Sequence, residues 1–583
     1  MSQGIRPGQF ITTYGPGAVL EGPGGPRVIM SIQDSGLFQN RSPRDFQIQE
    51  PALSTLLPER ALIFRLPSNA ELQRPDLDPV YETRGFPVWS LCVRHNILYR
   101  HRVGQNRTGC PQCGTRSDRW EAYRESRREA IRFVMACPAG HLDEVNWVGL
   151  IRHKAPGCSP DHLRWKASGS SLRGVAVQCP TCQQSFNLGE AYQRTFDCRG
   201  ARPELRQEHA DCRQKARITQ RGAANLFIPE VLSAVTIPNL DTSLHQALGS
   251  VQCKLLLEPL HDAGKLTTGA ALRDILLKYA RHLPPAVELE VKKYSDDALL
   301  RAARDVLAMS LPQTPEEQRA NEFRELQRAA THGHPPSTPG RVNVPPDFEV
   351  VAQFVCAFPL RGYSLRVTPV SRLRVVMVQV GYRRLGGEVA SSEYRSGAEV
   401  WFPGTELYGE GVFLDLEPLP GAESAIDHPG SGPTWARWKK RYDTSPDPKT
   451  QDHPVFVWWH TLAHRLIRSL SVDSGYSSAS VRERVYFQAT RQGAVGGVLL
   501  YAVQPGGDGT LGGLIALVPA FDRVLARATR DLDACSNDPL CEETSIRPGR
   551  VNGAACYACS LVSETSCEFR NQSLDRLILK ETL

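Results

Sequence analysis

Apolar and polar positions alternate with a period of two in Arg27-Val28-Ile29-Met30-Ser31-Ile32 and in Ala61-Leu62-Ile63-Phe64-Arg65-Leu66, so both stretches predict half-buried strands. With the many Gly and Pro around them they predict a small β-rich region over residues 1–88. Farther on the period lengthens. Leu272, Ile275, Leu276 and Tyr279 share one helical face, and Ala298, Leu299, Ala302 and Val306 another, with Pro284 and Pro285 between them. Residues 226–331 therefore predict a helical subdomain, and 332–346, rich in Pro and Gly, a linker. Beyond the linker, Leu373–Val378 and Gly411–Leu414 predict strands, and Val455–Leu470 a helix. Asp473–Ser480 predicts a turn, Val481–Arg484 a short helix and Val498–Val503 a strand. The turn at Gly512 and Gly513 opens an amphipathic helix to about Leu532. No internal repeat has a solenoid period.

At 583 residues the chain is long enough for three or four domains, and 41% hydrophobic with 22% charged residues is ordinary for a folded protein. The first residues lack the apolar core of a signal peptide, and no stretch approaches the length that spans a bilayer. The expectation is a cytoplasmic protein that does not enter the membrane. Sixteen cysteines in a reducing compartment argue against disulfides, and their pairing as Cys-x-x-Cys points to metal.

Cys92-x2-His95 followed by Cys110-Pro-Gln-Cys113 has the two-knuckle form of a zinc ribbon, with His101 an alternative to His95. A second cluster holds Cys179-Pro-Thr-Cys182 with Cys198 and Cys212 downstream, and these four form the expected set because they share one short segment. The rival set joins the 179/182 knuckle to Cys137 and His141, with Cys158 also nearby. The third cluster offers five candidates for four places. Cys556, Cys559 and Cys567 are expected, with Cys541 preferred to Cys535 as the nearer along the chain. Cys253 and Cys356 read as buried free thiols. Residues 89–225 thus read as zinc-ribbon-like modules, and 347–583 as an α/β C-terminal domain with a Cys-rich zinc site. The whole is a multidomain α+β zinc protein.

The net charge of +7 is concentrated. Between Trp89 and Met135 ten arginines stand against four acids, a local excess of +6. Arg94, Arg100, Arg102, Arg107, Arg116, Arg119, Arg127 and Arg128 are candidates for contact with phosphates, since guanidinium binds them in bidentate fashion. The competing reading is a solvated helix of mixed sign around Arg124–Arg132. Tyr14-Gly-Pro-Gly17 lacks the Gly-Lys-Ser/Thr ending of a nucleotide-binding loop and reads as a turn between strands. That ending occurs nowhere in the chain. His460-Thr-Leu-Ala-His464 places two imidazoles one helical turn apart, but Thr461 stands where a zincin carries its general-base glutamate. These histidines read as core. Glu288-x-Glu290-x-Lys292 lacks a partner aspartate for a nuclease array. The chain reads as a non-enzyme, with a metal-dependent nuclease or phosphodiesterase and a stand-alone zinc nucleic-acid-binding protein as alternatives.

The C-terminal block contains Pro505-Gly-Gly-Asp-Gly509, Cys535 to Cys541, Gly553-Ala-Ala-Cys-Tyr-Ala-Cys559, Glu564-Thr-Ser-Cys567 and Asn571-x2-Leu-Asp-Arg576. It resembles the zinc-binding domain at the C-terminus of MrfA-type DNA helicases. Together with Tyr14-Gly-Pro-Gly17, the Cys-Pro-x-Cys ribbon, Ala136-Cys-Pro-Ala-Gly-His-Leu-Asp143 and Gly409-Glu-Gly-Val-Phe413, most of the chain is similar to the DrmB-like proteins of DISARM anti-phage systems. The resemblance implies a non-catalytic subunit that binds a DrmA-like superfamily-2 helicase and helps it engage DNA. It also implies one zinc held by Cys556, Cys559, Cys567 and Cys541, a pattern from which the fifth cysteine, Cys535, departs.

Overall fold

The computed structural model of the chain describes residues 5, 7–22, 25–33, 37, 43–58, 61–75, 80–100, 110–113, 128–154, 157–237, 243–308, 312–332, 348–351, 356–360, 363–397, 399–418, 430–490, 493–504, 512–543 and 551–583. The fold is α+β. It forms two compact units, one of Met1–Gln49, Glu59–Leu232 and Met377–Thr405, the other of Glu50–Pro58, Ser233–Val376 and Glu406–Leu583.

The first unit is mostly short antiparallel strands. Val19–Gly22, Gly25–Ile29 and Thr83–Gly85 form one sheet. A second runs in the order Ser185–Asn187, Val175–Gln178, His162–Ala167, Ile97–Arg100, Trp89–Cys92, Arg128–Ala130, and a third in the order Thr195–Asp197, Lys215–Gln220, Phe133–Ala136, Leu142–Asp143. Strands this short bury little apolar area each, so the core leans on large rings. Trp147 is fully buried, with ring contacts to Phe133, Trp165 and Phe186 at 6.1 to 6.4 Å.

Tyr14-Gly-Pro-Gly17 is a packing turn, not an open phosphate cradle. Gly15 has φ +131°, and a Cβ there would meet the Gln379 side chain at 2.6 Å. Gln379 donates from Nε2 to the Ile11 and Tyr14 carbonyls. Gly17 has φ +93°, and its carbonyl accepts from the fully buried Arg384, which also donates to Gly140 and Leu226. The motif is thus sealed by an amide and a guanidinium from below.

The range 226–331 is not helical from its start, since Ile228–Thr236 is a strand and the helices begin at Ser243. Helices Gly269–Lys278 and Asp296–Ala308 bury Leu272, Leu276, Leu299, Ala302 and Val306 in one cluster. Tyr279, grouped with the inner face by spacing, is exposed, because the helix ends at Lys278 and Tyr279 caps it. Arg273 locks the two helices by donating to Asp296 at 2.7 Å and to the Tyr294 carbonyl.

Tyr363–Arg383, Glu399–Pro418, Gly493–Gln504 and Val481–Thr490 follow one another in one sheet. The helix expected over Val455–Leu470 spans Pro454–Asp473 and packs on this sheet. It is apolar nearly all round, as a helix enclosed by protein must be. Trp458, Trp459, Leu462, Leu466, Ile467 and Leu470 are all fully buried in its cluster.

Two expectations fail here. Val481–Arg484, read as a short helix, opens the strand Val481–Thr490, in register with Gly493–Gln504 from Val481 opposite Ala502 to Thr490 opposite Gly493. No alternation marks it as a strand, because Arg482, Glu483 and Arg484 are three charged residues in a row, and Glu483 and Arg484 are nevertheless both fully buried. The amphipathic helix after Gly513 is broken at Pro519, with a 3-10 turn Ile515–Ala520 preceding the helix Phe521–Thr529.

Candidate metal centres

Among the described residues, five groups bring four candidate ligand atoms within 4.8 Å of one another; four of them consist of cysteine and histidine alone, and the fifth also includes a glutamate. The first is built by a hairpin. Trp89–Cys92 pairs with Ile97–Arg100, Cys92 opposite Ile97, so the tip carries Cys92 and His95 on one corner while Asn96 turns the chain at φ +52°. Cys110 and Cys113 complete the set on a turn closed by a Cys113 N–H to Cys110 carbonyl bond of 2.9 Å. His95 Nδ1 faces the sulfurs of Cys92, Cys110 and Cys113 at 3.4 to 3.6 Å. Burial raises the Cys92 thiol, but the backbone N–H groups of His95 and Arg94 outweigh it and hold the thiol below its ordinary range. His101 lies outside the described residues.

The second cluster of the sequence divides in two. Cys198 and Cys212 do not join the 179/182 knuckle. They lie with Cys137 and His141, which sit on the tight turn between Phe133–Ala136 and Leu142–Asp143. His141 Nδ1 is 3.3 Å from Cys137 Sγ and 3.6 Å from Cys198 Sγ. The reason is sheet pairing. Asp197 opposite Lys215 brings the loops holding Cys198 and Cys212 together, and Lys215–Gln220 pairs with Phe133–Ala136. The Gly200 N–H donates to Cys198 Sγ at 3.3 Å.

Cys179 and Cys182 instead meet Cys158 and His153. Cys158 and Cys179 have their sulfurs 3.7 Å apart, and His153 Nδ1 is 3.2 Å from Cys182 Sγ. His153 Nε2 lies 3.2 Å from the Val148 carbonyl. A carbonyl only accepts, so Nε2 carries the proton and Nδ1 keeps its lone pair for the centre, the usual outer support of a ligating imidazole. Burial raises the Cys182 thiol, yet backbone N–H groups and His153 bring it down to about 6. His153 is the one member of these four groups that the sequence did not single out; its only signal is lying five residues before Cys158.

In the second unit Cys535, Cys541, Cys556 and Cys559 form an all-sulfur group. Cys535 to Cys556 is 3.4 Å, and Cys559 is 3.8 Å from both Cys541 and Cys556. Cys535 and Cys541 are therefore both members, and Cys567 lies apart from them, its sulfur 3.2 Å from His460 Nε2. Asn537 donates to the sulfurs of Cys535 and Cys556, and the Cys556 thiol is brought down to about 6 against the opposing effect of burial. Asp538 accepts from the Cys535 N–H and from the fully buried Arg576, fixing the loop.

All four groups fit zinc. In the groups of Cys92, Cys158 and Cys535 the sulfur separations of 3.4 to 3.8 Å exceed a disulfide bond of about 2.05 Å and match the edge of a tetrahedron of about 3.8 Å set by zinc–sulfur bonds of about 2.3 Å, and in the Cys137 group His141 Nδ1 stands 3.3 and 3.6 Å from two sulfurs. Each group is closed by four protein ligands, which leaves no position for a reacting water.

The arginine patch is only partly visible. Arg94 and Arg100 are exposed. The backbone of Arg128 lies in the strand Arg128–Ala130, and Arg102, Arg107, Arg116, Arg119 and Arg127 lie outside the described residues. Residues 333–346 of the expected linker and Pro505–Gly509 also fall outside them, while His332 ends the helix Pro315–His332. Glu288 and Lys292 form an exposed ion pair on one helix, and Glu290 pairs with Lys293.

Residues 462–560 match the family described as the MrfA Zn-binding domain, and residues 6–228 match a domain described as of unknown function, DUF8724. The chain is 28% identical over 511 residues to the DISARM protein DrmB of Bacillus paralicheniformis, covering 81% of this chain and 82% of that one. A crystal structure of the DUF1998 helicase MrfA bound to DNA matches 33% of this chain and 22% of its own, at 12% identity and a TM-score of 0.19. The chain is thus similar to DrmB along most of its length, and its match to the MrfA Zn-binding domain spans Cys535, Cys541, Cys556 and Cys559.

Proposed function

We propose that this chain is a non-catalytic subunit of a DISARM-type anti-phage complex that binds a superfamily-2 DNA helicase and assists its engagement of DNA. The observation that carries the reading is the similarity to DrmB along four fifths of both chains. Three features support it. The sequence has no phosphate-binding loop to hydrolyse ATP itself. The four groups made of cysteine and histidine alone are closed, so zinc supplies folding energy and no activated water. The exposed Arg94 and Arg100 lie on the hairpin that carries Cys92 and His95 and offer cations to phosphates or to an acidic partner surface.

In this reading Cys92, His95, Cys110 and Cys113 hold one zinc, Cys137, His141, Cys198 and Cys212 a second, His153, Cys158, Cys179 and Cys182 a third, and Cys535, Cys541, Cys556 and Cys559 a fourth. Each fixes a segment with too little apolar area to fold alone. The complex works in the cytoplasm; among the described residues no helix is long and apolar enough to cross a membrane.

The test is co-expression with a DISARM superfamily-2 helicase. The two should elute as one complex, and the helicase should bind DNA more tightly with the chain than alone. Separate elution with unchanged DNA binding overturns the proposal, and divalent-dependent DNA cleavage by the isolated chain replaces it with the nuclease reading.

A further inference from the structure

The helix Pro454–Asp473 carries His460 and His464 one turn apart on a single face, and the strand Val481–Thr490 presents Glu483 to that face. Cys567 closes the group from the C-terminal segment. All four side chains are buried, three of them completely. His460 Nε2 is 2.9 Å from Glu483 Oε1 and 3.2 Å from Cys567 Sγ, and His464 Nε2 is 3.3 Å from the same carboxylate oxygen.

The protons decide what this group is for. His464 Nδ1 is 2.8 Å from the Ser560 carbonyl, so Nδ1 carries a hydrogen and donates it. A neutral His464 then has a bare lone pair at Nε2, aimed at a carboxylate oxygen that also only accepts. Two acceptors facing one another in a dry interior repel, so a cation must lie between them. A single proton serves that one contact alone. It does not account for the convergence of Cys567 Sγ and both imidazoles on the same carboxylate. A divalent cation uses all four groups, two neutral imidazoles, one carboxylate and one thiolate, and the two anions cancel its charge.

The surroundings are those of a ligand shell. The Asn571 N–H donates to Cys567 Sγ at 3.2 Å, just as Gly200 and Asn537 support Cys198 and Cys535. The Glu483 N–H donates to the Ser566 carbonyl at 3.0 Å, tying the strand to the residue before Cys567. The His464 hydrogen bond to Ser560 is the outer contact that orients a ligating imidazole. Contacts of 2.9 to 3.3 Å are slightly inside the roughly 3.3 to 3.8 Å between ligand atoms of tetrahedral zinc, so a few tenths of an ångström of movement admits the ion.

We propose that His460, His464, Glu483 and Cys567 form a fifth metal site, a closed, structural zinc centre that clamps the C-terminal segment to the helix and the strand. With four protein ligands it has no place for a water, so it does not revive a hydrolytic reading of the histidine pair. Of its members, His460 and Cys567 fall outside the stretch 462–560 that matches the MrfA domain.

Native mass spectrometry of the full chain, purified without chelator, counts the ions. The expected result is five zinc per chain, falling to four in Glu483→Gln and also to four in Cys556→Ser, which empties only the all-cysteine group. Four zinc in the wild type, unchanged by Glu483→Gln, overturns the proposal and leaves a protonated histidine–glutamate network. If Glu483→Gln does not fold, anomalous diffraction of wild-type crystals at the zinc edge decides without it. A peak among the four side chains supports the site, and peaks at the other four groups with none here refute it while leaving the other zinc assignments standing.

Discussion

Arg484 and Glu322 form a bidentate ion pair inside the second unit, Nε to Oε2 at 2.6 Å and Nη2 to Oε1 at 2.7 Å, with both side chains buried. Arg484 directly follows Glu483, so adjacent charged residues of one strand serve opposite faces: Glu483 meets the helix Pro454–Asp473, and Arg484 meets the helix Pro315–His332. Breaking such a pair strands a buried charge. Glu322→Gln is expected to destabilise the protein by about 3 kcal/mol, whereas Glu322→Leu with Arg484→Met should cost clearly less than the sum of the two single changes. Chemical denaturation of Glu322→Gln and of the four proteins of the Leu/Met cycle measures this, and additive losses in the cycle would show that the pair carries no coupling.

The division of the middle cysteines into two centres predicts a pattern of zinc loss. Cys137→Ser and Cys198→Ser should each remove the same ion, so the double variant loses one zinc. Cys179→Ser with Cys198→Ser should lose two. A single zinc lost in the latter pair, and two in the former, would return Cys198 and Cys212 to the 179/182 knuckle. Because zinc binding is coupled to folding, each loss should also open its own segment to proteolysis.

The knuckles were readable in the sequence because both ligands of each lie on one short turn, as with Cys110 and Cys113 or Cys556 and Cys559. The partners of each knuckle were harder, because strand pairing chooses them. Cys198 is nearer along the chain to Cys182 than to Cys137, yet the pairing of Lys215–Gln220 with Phe133–Ala136 sets it beside His141. His153 has no signal beyond lying five residues before Cys158, and Glu483 has none; each joins its centre only when a distant segment folds onto it. The helices were legible wherever one face is buried, as at Leu272 and Leu276. The strand Val481–Thr490 was not, since buried Glu483 and Arg484 look like surface residues until their partners are known.

A pH dependence follows from His453. Its Nδ1 accepts the Val455 N–H at 3.2 Å and so caps the helix Pro454–Asp473, which requires the neutral ring. Burial pushes its pKa down to about 4; Lys439 adds to this and Asp443 opposes it. The unfolded chain takes up the proton near pH 6.5, before the folded protein does. The neutral cap therefore contributes fully above pH 6.5, and its contribution is lost as pH falls from about 6.5 towards 4. Asn caps without titrating. Stability of the wild type should thus fall on the order of 2 kcal/mol more steeply across that window than that of His453→Asn. Parallel curves would mean that His453 stays neutral in both states or charged in both. The comparison of two proteins cancels the protonation of zinc ligands, which both share.

The last prediction concerns the arginines of the first zinc module. Arg94 follows Cys92 on the hairpin tip and Arg100 ends its second strand, both with exposed side chains. Neither side chain belongs to the group of ligand atoms, so replacing them should spare the zinc. If each neutralises one phosphate, Arg94→Ala with Arg100→Ala should flatten the slope of log affinity against log salt by roughly 1.4 to 1.8. The measurement is DNA binding by the chain together with its helicase at several salt concentrations, with zinc content checked in parallel. An unchanged slope with weakened helicase association makes this surface a protein interface. If neither DNA binding nor helicase association changes, the two guanidinium groups are only solvated, and the charge excess between Trp89 and Met135 acts through its other arginines or not on DNA at all.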